Sequence, residues 1–288
     1  MSGVIRKADR GHSIAREGCS ILEEKIMEKI LLALDALNVN THAIDFGCYI
    51  AKLTHSRLTG VFLEGLGEER PMVPVDEEGQ QHVEGNIRHF REACVCRDTL
   101  SLVHRDRAVP LDEIVAESRF ADLLIVDPEM AFNRKDAIVP GHFVKDVLRS
   151  AECPVLIAPY SFDSIDEVVF AYDGSASSVF AIRQFAHLFP ALRTTRLVVI
   201  SIRDDESPAI EEQFKMKEWL KAHFENLHFE VRKGGGASEQ LLAYLIEKKN
   251  AMVVMGAYGR SEVSNFFRPS RAEMLVKTVN LPIFITHQ

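Results

Sequence analysis

Short apolar runs recur along the chain, and between them apolar residues fall at helical spacing. Lys29-Ile-Leu-Leu-Ala-Leu-Asp35 is apolar throughout its middle and closes on a carboxylate. A continuous run of this kind predicts a strand buried on both faces. Ala43, Phe46, Ile50 and Leu53 then recur three or four residues apart, which predicts a helix with Asn40 or Thr41 as its N-cap. A second strand follows over 58–63, then a polar stretch carrying a helix over 78–96, and a third strand over 100–104. A short amphipathic helix carries Leu111, Ile114 and Val115. Asp122-Leu-Leu-Ile-Val126 reads as a fourth strand, and Val144, Val147, Leu148 and Ala151 share one face of a last helix. The closing strand opens on a proline, Pro154-Val-Leu-Ile-Ala.

The same order then returns. Glu167-Val-Val-Phe-Ala-Tyr-Asp173 is again an apolar run ending in aspartate. Ile182, Phe185, Ala186 and Phe189 mark the next helix, with Ser175 or Ser177 available to cap it. Strands follow over 197–202, 227–231 and 251–255, with helices over 210–226, around Leu241, Leu242 and Leu245, and around Ala272, Leu275, Val276 and Val279. This half also closes on a proline-led strand, Pro282-Ile-Phe-Ile-Thr. Proline suits a strand's first position, where its missing N–H breaks no ladder bond. Strands alternating with helices predict parallel β-α-β units. Each half is therefore expected to be a doubly wound α/β domain, a five-stranded parallel sheet with helices on both faces. The expected domains are 27–160 and 166–288, joined through the polar stretch from Pro159 to Asp166. Residues 1–26 carry no matching periodicity and read as an N-terminal extension.

Composition narrows the function classes. Apolar residues make up 47% of the 288, enough for a sizeable core. The net charge is -8, from 42 acidic and 34 basic residues, with no basic block to track a phosphate backbone; nucleic-acid partners are not expected. No stretch approaches the roughly 20 apolar residues of a membrane helix. Residues 1–16 lack the apolar run of a secretion signal, so the expected location is cytoplasmic. The five cysteines show no Cys-x-x-Cys spacing. Cys94-Val-Cys96, with His82 and His89 upstream, reads as a partly buried helix face sooner than as a metal cluster.

Doubly wound sheets bind ligands beyond the carboxyl ends of their strands. In the second half Asp173-Gly174-Ser175 ends one strand and Gly256-Ala-Tyr-Gly259 ends another. Glycines at such a crossing let backbone N–H groups approach an anion. After Gly259 come nine residues, then Pro269-Ser270 and the last helix, whose N-terminus adds partial positive charge. Arg260, Arg268 and Arg271 stand nearby in sequence.

This layout resembles the universal stress protein family over nearly everything from Met27 onwards. The ATP-binding branch of that family shows Gly-x-x-Gly, nine residues, then Gly-Ser or Gly-Thr. Gly256, Gly259 and Ser270 match that pattern, while Pro269 replaces its third glycine and lacks an N–H to donate. The resemblance implies that Asp173 is the strand-one aspartate and that the backbone of Ile202 meets the adenine. It implies ATP or AMP in the second half, with magnesium as a possible companion. Gly234-Gly235-Gly236 reads as a turn, since no P-loop Lys-Ser or Lys-Thr follows.

The first half keeps the carboxylate of Asp35 but has Asp127 and Met130 at the two glycine positions, and His142 where serine belongs. Like charges repel in a partly dry cleft, so Asp127 and Glu129 are expected to exclude a phosphate. Asp35, Asp127, Glu129 and His142 could alternatively form a site for a cation or basic ligand. Three functions follow. The first is a stress-response or signalling protein binding adenine nucleotide in its second half. The second is a tandem interaction module without nucleotide, its halves paired through the proline-led strands and the chain a monomer or homodimer with an unidentified protein partner. The third is a weak ATPase. No nucleophile elbow or dinucleotide fingerprint occurs, so the protein is not expected to be an enzyme.

Overall fold

The computed structural model describes residues 27–64, 77–107, 109–132, 139–203, 210–233, 237–256 and 269–286. The first half runs β1 (Lys29–Asp35), α1 (Thr41–Leu53), β2 (Arg57–Leu63), α2 (Glu77–Cys96), β3 (Ser101–Asp106), α3 (Pro110–Ser118), β4 (Leu123–Val126), α4 (His142–Ser150) and β5 (Val155–Ile157). The second runs β6 (Glu167–Tyr172), α5 (Ala176–Leu188), β7 (Arg196–Arg203), α6 (Ile210–His223), β8 (Leu227–Lys233), α7 (Ala237–Leu245), β9 (Ala251–Gly256), α8 (Pro269–Thr278) and β10 (Ile283–Thr286). The expected N-terminal extension and Gly234-Gly235-Gly236 lie outside the described residues.

The strands form one ten-stranded sheet in the order β3-β2-β1-β4-β5-β10-β9-β6-β7-β8. Pairing is parallel throughout each half, as in the register Lys29↔Arg57 to Asp35↔Leu63. The halves meet where β5 and β10 pair antiparallel, with Ile283 opposite Ile157 and Ile285 opposite Val155. The two sheets expected from the sequence are thus one, joined through the proline-led strands inside a single chain. Both prolines suit their places: the carbonyl of Pro154 accepts from Leu124 N (3.0 Å) and that of Pro282 from Val253 N (2.9 Å).

Alternate residues of β1 explain its unbroken apolar run. Ile30, Leu32 and Leu34 face one core layer with Phe46, Phe62 and Phe90; Leu31 and Ala33 face the other with Val144 and Val147. Each layer also takes residues from the second half, such as Phe170 and Phe284 in the first and Val169 and Ile283 in the second. The caps resolve as Asn40, whose Oδ1 accepts from His42 N (3.0 Å), and Ser175, whose Oγ accepts from Ser178 N (3.1 Å). Helix α6 stops at His223, short of the expected 226, where Glu225 N donates to the Arg193 carbonyl (2.9 Å) and not to the carbonyl four residues back.

Glu117 ties α3 to the sheet. It accepts from Lys29 Nζ at 2.5 Å and pairs with His104 Nδ1 at 2.9 Å. Burial alone would raise its carboxyl, but the Lys29 ammonium and the His104 ring outweigh burial and hold it below the ordinary 4.5. A carboxylate depressed in the fold contributes stability above its unfolded value and loses it as pH falls through the folded one. Glu117→Gln is therefore expected to flatten the loss of stability below about pH 4.5. Urea midpoints measured against pH check this; an acid limb as steep as in the unaltered chain would show the pair contributes nothing.

Candidate functional site

The strand order reverses between β1 and β4 and again between β6 and β9, so each half has a crevice at those carboxyl ends. Because β5 and β10 run antiparallel, the carboxyl ends of the strands in the two halves point in opposite directions.

In the first half Asp35 Oδ1 accepts from Leu37 N (2.9 Å) and its Oδ2 from Asn38 Nδ2 (3.0 Å). Asp127 is 7% exposed, and its Oδ1 accepts from Glu129 N at 2.9 Å. The crevice is a cavity of about 300 Å³ lined by Asp35, Asn38, Asn40, Asp127, Glu129 and Met130, among others. Burial, then Glu129 and Asp127, raise the nearby Tyr160 hydroxyl above its ordinary value. Met130 is buried in the core. His142 opens α4 and does not line the cavity. The structure thus brings together three of the four residues considered for a cation. Among the described residues, no group of three or more His, Cys, Asp or Glu is arranged to hold a metal.

In the second half Asp173 forms the matching turn, its Oδ1 accepting from Ser175 N (2.9 Å). Gly174 sits at φ +81°, a left-handed conformation that favours glycine. Here α5 starts at Ala176, directly after Ser175, whereas 36–40 intervene between Asp35 and α1. The shorter connection draws the first turn of α5 against the end of β9. A Cβ on Gly256 would lie 2.3 Å from Ser177 O, 2.4 Å from Ser177 C and 2.7 Å from Ser178 N. Gly256 is therefore required for packing, a role that motif spacing did not reveal. Ile202 lies in β7 opposite Arg232, and Ser270 lies in the first turn of α8, which Pro269 opens. Gly259, Arg260 and Arg268 lie outside the described residues.

Two features escaped the sequence. Ser177 Oγ is buried without a hydrogen-bond partner beside the end of β9. A cavity of about 240 Å³ lies beneath α6, lined by Tyr172, Val199, Ser201, Met216, Phe229 and Val231, among others. In the first half, Phe62 stands where Ser201 does and packs edge-on against Phe90 of α2, ring centroids 5.8 Å apart. Gly60, at the place of Val199, admits that ring: a Cβ there would be 2.9 Å from Phe90 Cζ. In the second half Ser201 and Val199 take the places of Phe62 and Gly60, and only a side-by-side reading of the two halves could have shown it.

Residues 164–287 match the Universal stress protein family. Over 145 residues the chain is 27% identical to Universal stress protein Slr1230 of Synechocystis sp., a match to half of this chain that spans about half the length of that relative. The crystal structure of a universal stress protein from Archaeoglobus fulgidus superposes with a TM-score of 0.71 at 16% identity, covering 92% of this chain and 99% of that one. A universal stress protein candidate from Pseudomonas aeruginosa superposes with a TM-score of 0.60 at 16% identity, covering 91% and 93%. At such identities the two structures establish the doubly wound fold across both halves.

Proposed function

We propose, from the premise that residues 164–287 belong to the universal stress protein family, that this chain binds ATP or AMP in its second half and excludes nucleotide from its first. The observation that carries the reading is the contrast between the halves at equivalent strand ends. One residue before Asp173, Tyr172 lines with Ser201 the cavity beneath α6, which has room for a ring. Beside Asp35 the equivalent ring space is filled by Phe62 and Phe90, and the crevice carries three carboxylates. Phosphate oxygens would meet repulsion there that the second half does not impose.

In this reading Asp173 orients the nucleotide, and the backbone of Ile202 meets the adenine. Gly259 serves the phosphates together with Ser270, which lies at the start of α8. A magnesium ion accompanying ATP would use Asp173 as its carboxylate. Binding without turnover is the proposed activity. It would bias the surface seen by a protein partner. The pairing of β5 with β10 already occupies the closing strands within one chain, which favours a monomer. No helix among the described residues is long and apolar enough to cross a membrane.

The test is direct. The purified chain is denatured and assayed for released adenine nucleotide, and the emptied protein is titrated with ATP by calorimetry. One nucleotide per chain is expected, with Asp173→Ala weakening affinity at least tenfold and Asp35→Ala leaving it unchanged. A chain that releases nothing and takes up no ATP at millimolar concentration refutes the reading. Affinity lost in Asp35→Ala but kept in Asp173→Ala would place the site in the wrong half.

A further inference from the structure

Cys48 lies in α1 and Cys94 near the end of α2, two helices that share one core layer. Both side chains are buried, and their sulfurs are 3.7 Å apart in an S–H···S contact. Arg97 braces the same pair of helices, donating to the Ala93 carbonyl at 3.0 Å and to Asp45 of α1 at 2.6 Å. Cys96, the other half of the Cys-x-Cys pair, is exposed.

We infer that Cys48 and Cys94 form an oxidative modification site, in which a peroxide converts the two thiols into an intramolecular disulfide stapling α1 to α2. A disulfide needs sulfurs about 2.05 Å apart, so they must close by roughly 1.7 Å from their present contact. The two thiols are not equivalent. The hydrogen bond shared with Cys48 lowers the Cys94 thiol against the pull of burial, with help from Ser101 and Arg97. Cys48 is pushed up, first by the same hydrogen bond and then by burial. Attack from Cys94 with Cys48 resolving, and the reverse order, lead to the same disulfide. Burial shields the pair from bulky disulfides, which selects a small oxidant such as hydrogen peroxide.

The chemistry balances. The Cys94 thiolate attacks one peroxide oxygen, the O–O bond breaks, and the departing hydroxide takes up a proton to leave as water. Cys94 is then a sulfenic acid. The Cys48 sulfur attacks the Cys94 sulfur, the S–O bond breaks, and a second water leaves with the Cys48 proton. Two thiols lose two electrons and one peroxide becomes two waters. Cys153, buried and pushed up to about 12, stays a thiol.

The experiment uses the full chain carrying Cys19→Ser, Cys96→Ser and Cys153→Ser, so that no other pair competes. The protein is treated with hydrogen peroxide, alkylated in denaturant, digested without reductant and read by mass spectrometry. The expected product is a peptide pair joined through Cys48 and Cys94 that separates on reduction, with alkylation of both residues lost together. In Cys48→Ser the resolving thiol is gone, and dimedone is expected to label Cys94 as its sulfenic acid. Free alkylation of both residues after peroxide overturns the proposal, as does Cys94 driven to sulfinic acid while Cys48 remains a thiol.

Discussion

Gly256→Ala is expected to lower the unfolding free energy by about 3 kcal/mol, at the upper end of what overpacking costs. The new methyl would sit 2.3 Å from Ser177 O, 2.4 Å from Ser177 C and 2.7 Å from Ser178 N. All three atoms are backbone in the first turn of α5, so no rotamer change relieves the contact; the helix or the strand end must move. Gly60→Ala is the control. Its nearest neighbour is the edge of the Phe90 ring at 2.9 Å, a side chain that can shift, and the expected loss is about 1 kcal/mol. Urea unfolding of both variants checks the order, and equal losses would sink the explanation. The same geometry changes how the nucleotide site is tested. Gly256→Asp, which copies Asp127 into the second half, would displace α5 as well as add a charge, so lost binding in that variant would not locate the phosphates. Asp173→Ala adds no atoms but removes the acceptor for Ser175 N, so Asp173→Asn, which keeps that acceptor and removes the charge, is the paired control.

Phe284→Ala is expected to cost about 3–5 kcal/mol and to shift a single unfolding transition as a whole. Phe284 is fully buried on β10, with its ring centroid 5.5 Å from that of Phe185 and 5.9 Å from that of Phe189. Its backbone lies opposite Leu156 of β5, so the lost ring leaves its cavity at the seam between the halves. The sheet is continuous across that seam, and both core layers draw on both halves. Neither half can therefore open without exposing apolar surface of the other. Calorimetry and urea titration followed by far-UV circular dichroism check this. Two resolved transitions, with only one of them moved by the substitution, would show that the halves melt independently.

The strands, the helices and their two-fold recurrence were legible along the chain, because burial on both faces leaves unbroken apolar runs such as 30–34 and 168–172. Ambiguity began where alternatives had equal chemistry. Asn40 and Thr41 can each cap a helix, as can Ser175 and Ser177; only backbone direction selects Asn40 and Ser175. Asp35, Asp127 and Glu129 were legible as a carboxylate group because strand ends gather at a switch point. Motif position groups His142 with them, whereas the structure starts α4 there and leaves His142 out of the crevice lining.

Sequence alone determined the fold class, the repeat and the candidate strand ends, since these follow from periodicity, which is local. Tertiary structure alone decided the rest. It set the antiparallel register in which the proline-led strands pair, gave Gly256 a packing role against α5, left open beneath α6 what Phe90 fills beneath α2, and set two distant thiols in contact. Each of these depends on distances between segments remote in the chain, and no pattern along one segment encodes what another will press against it.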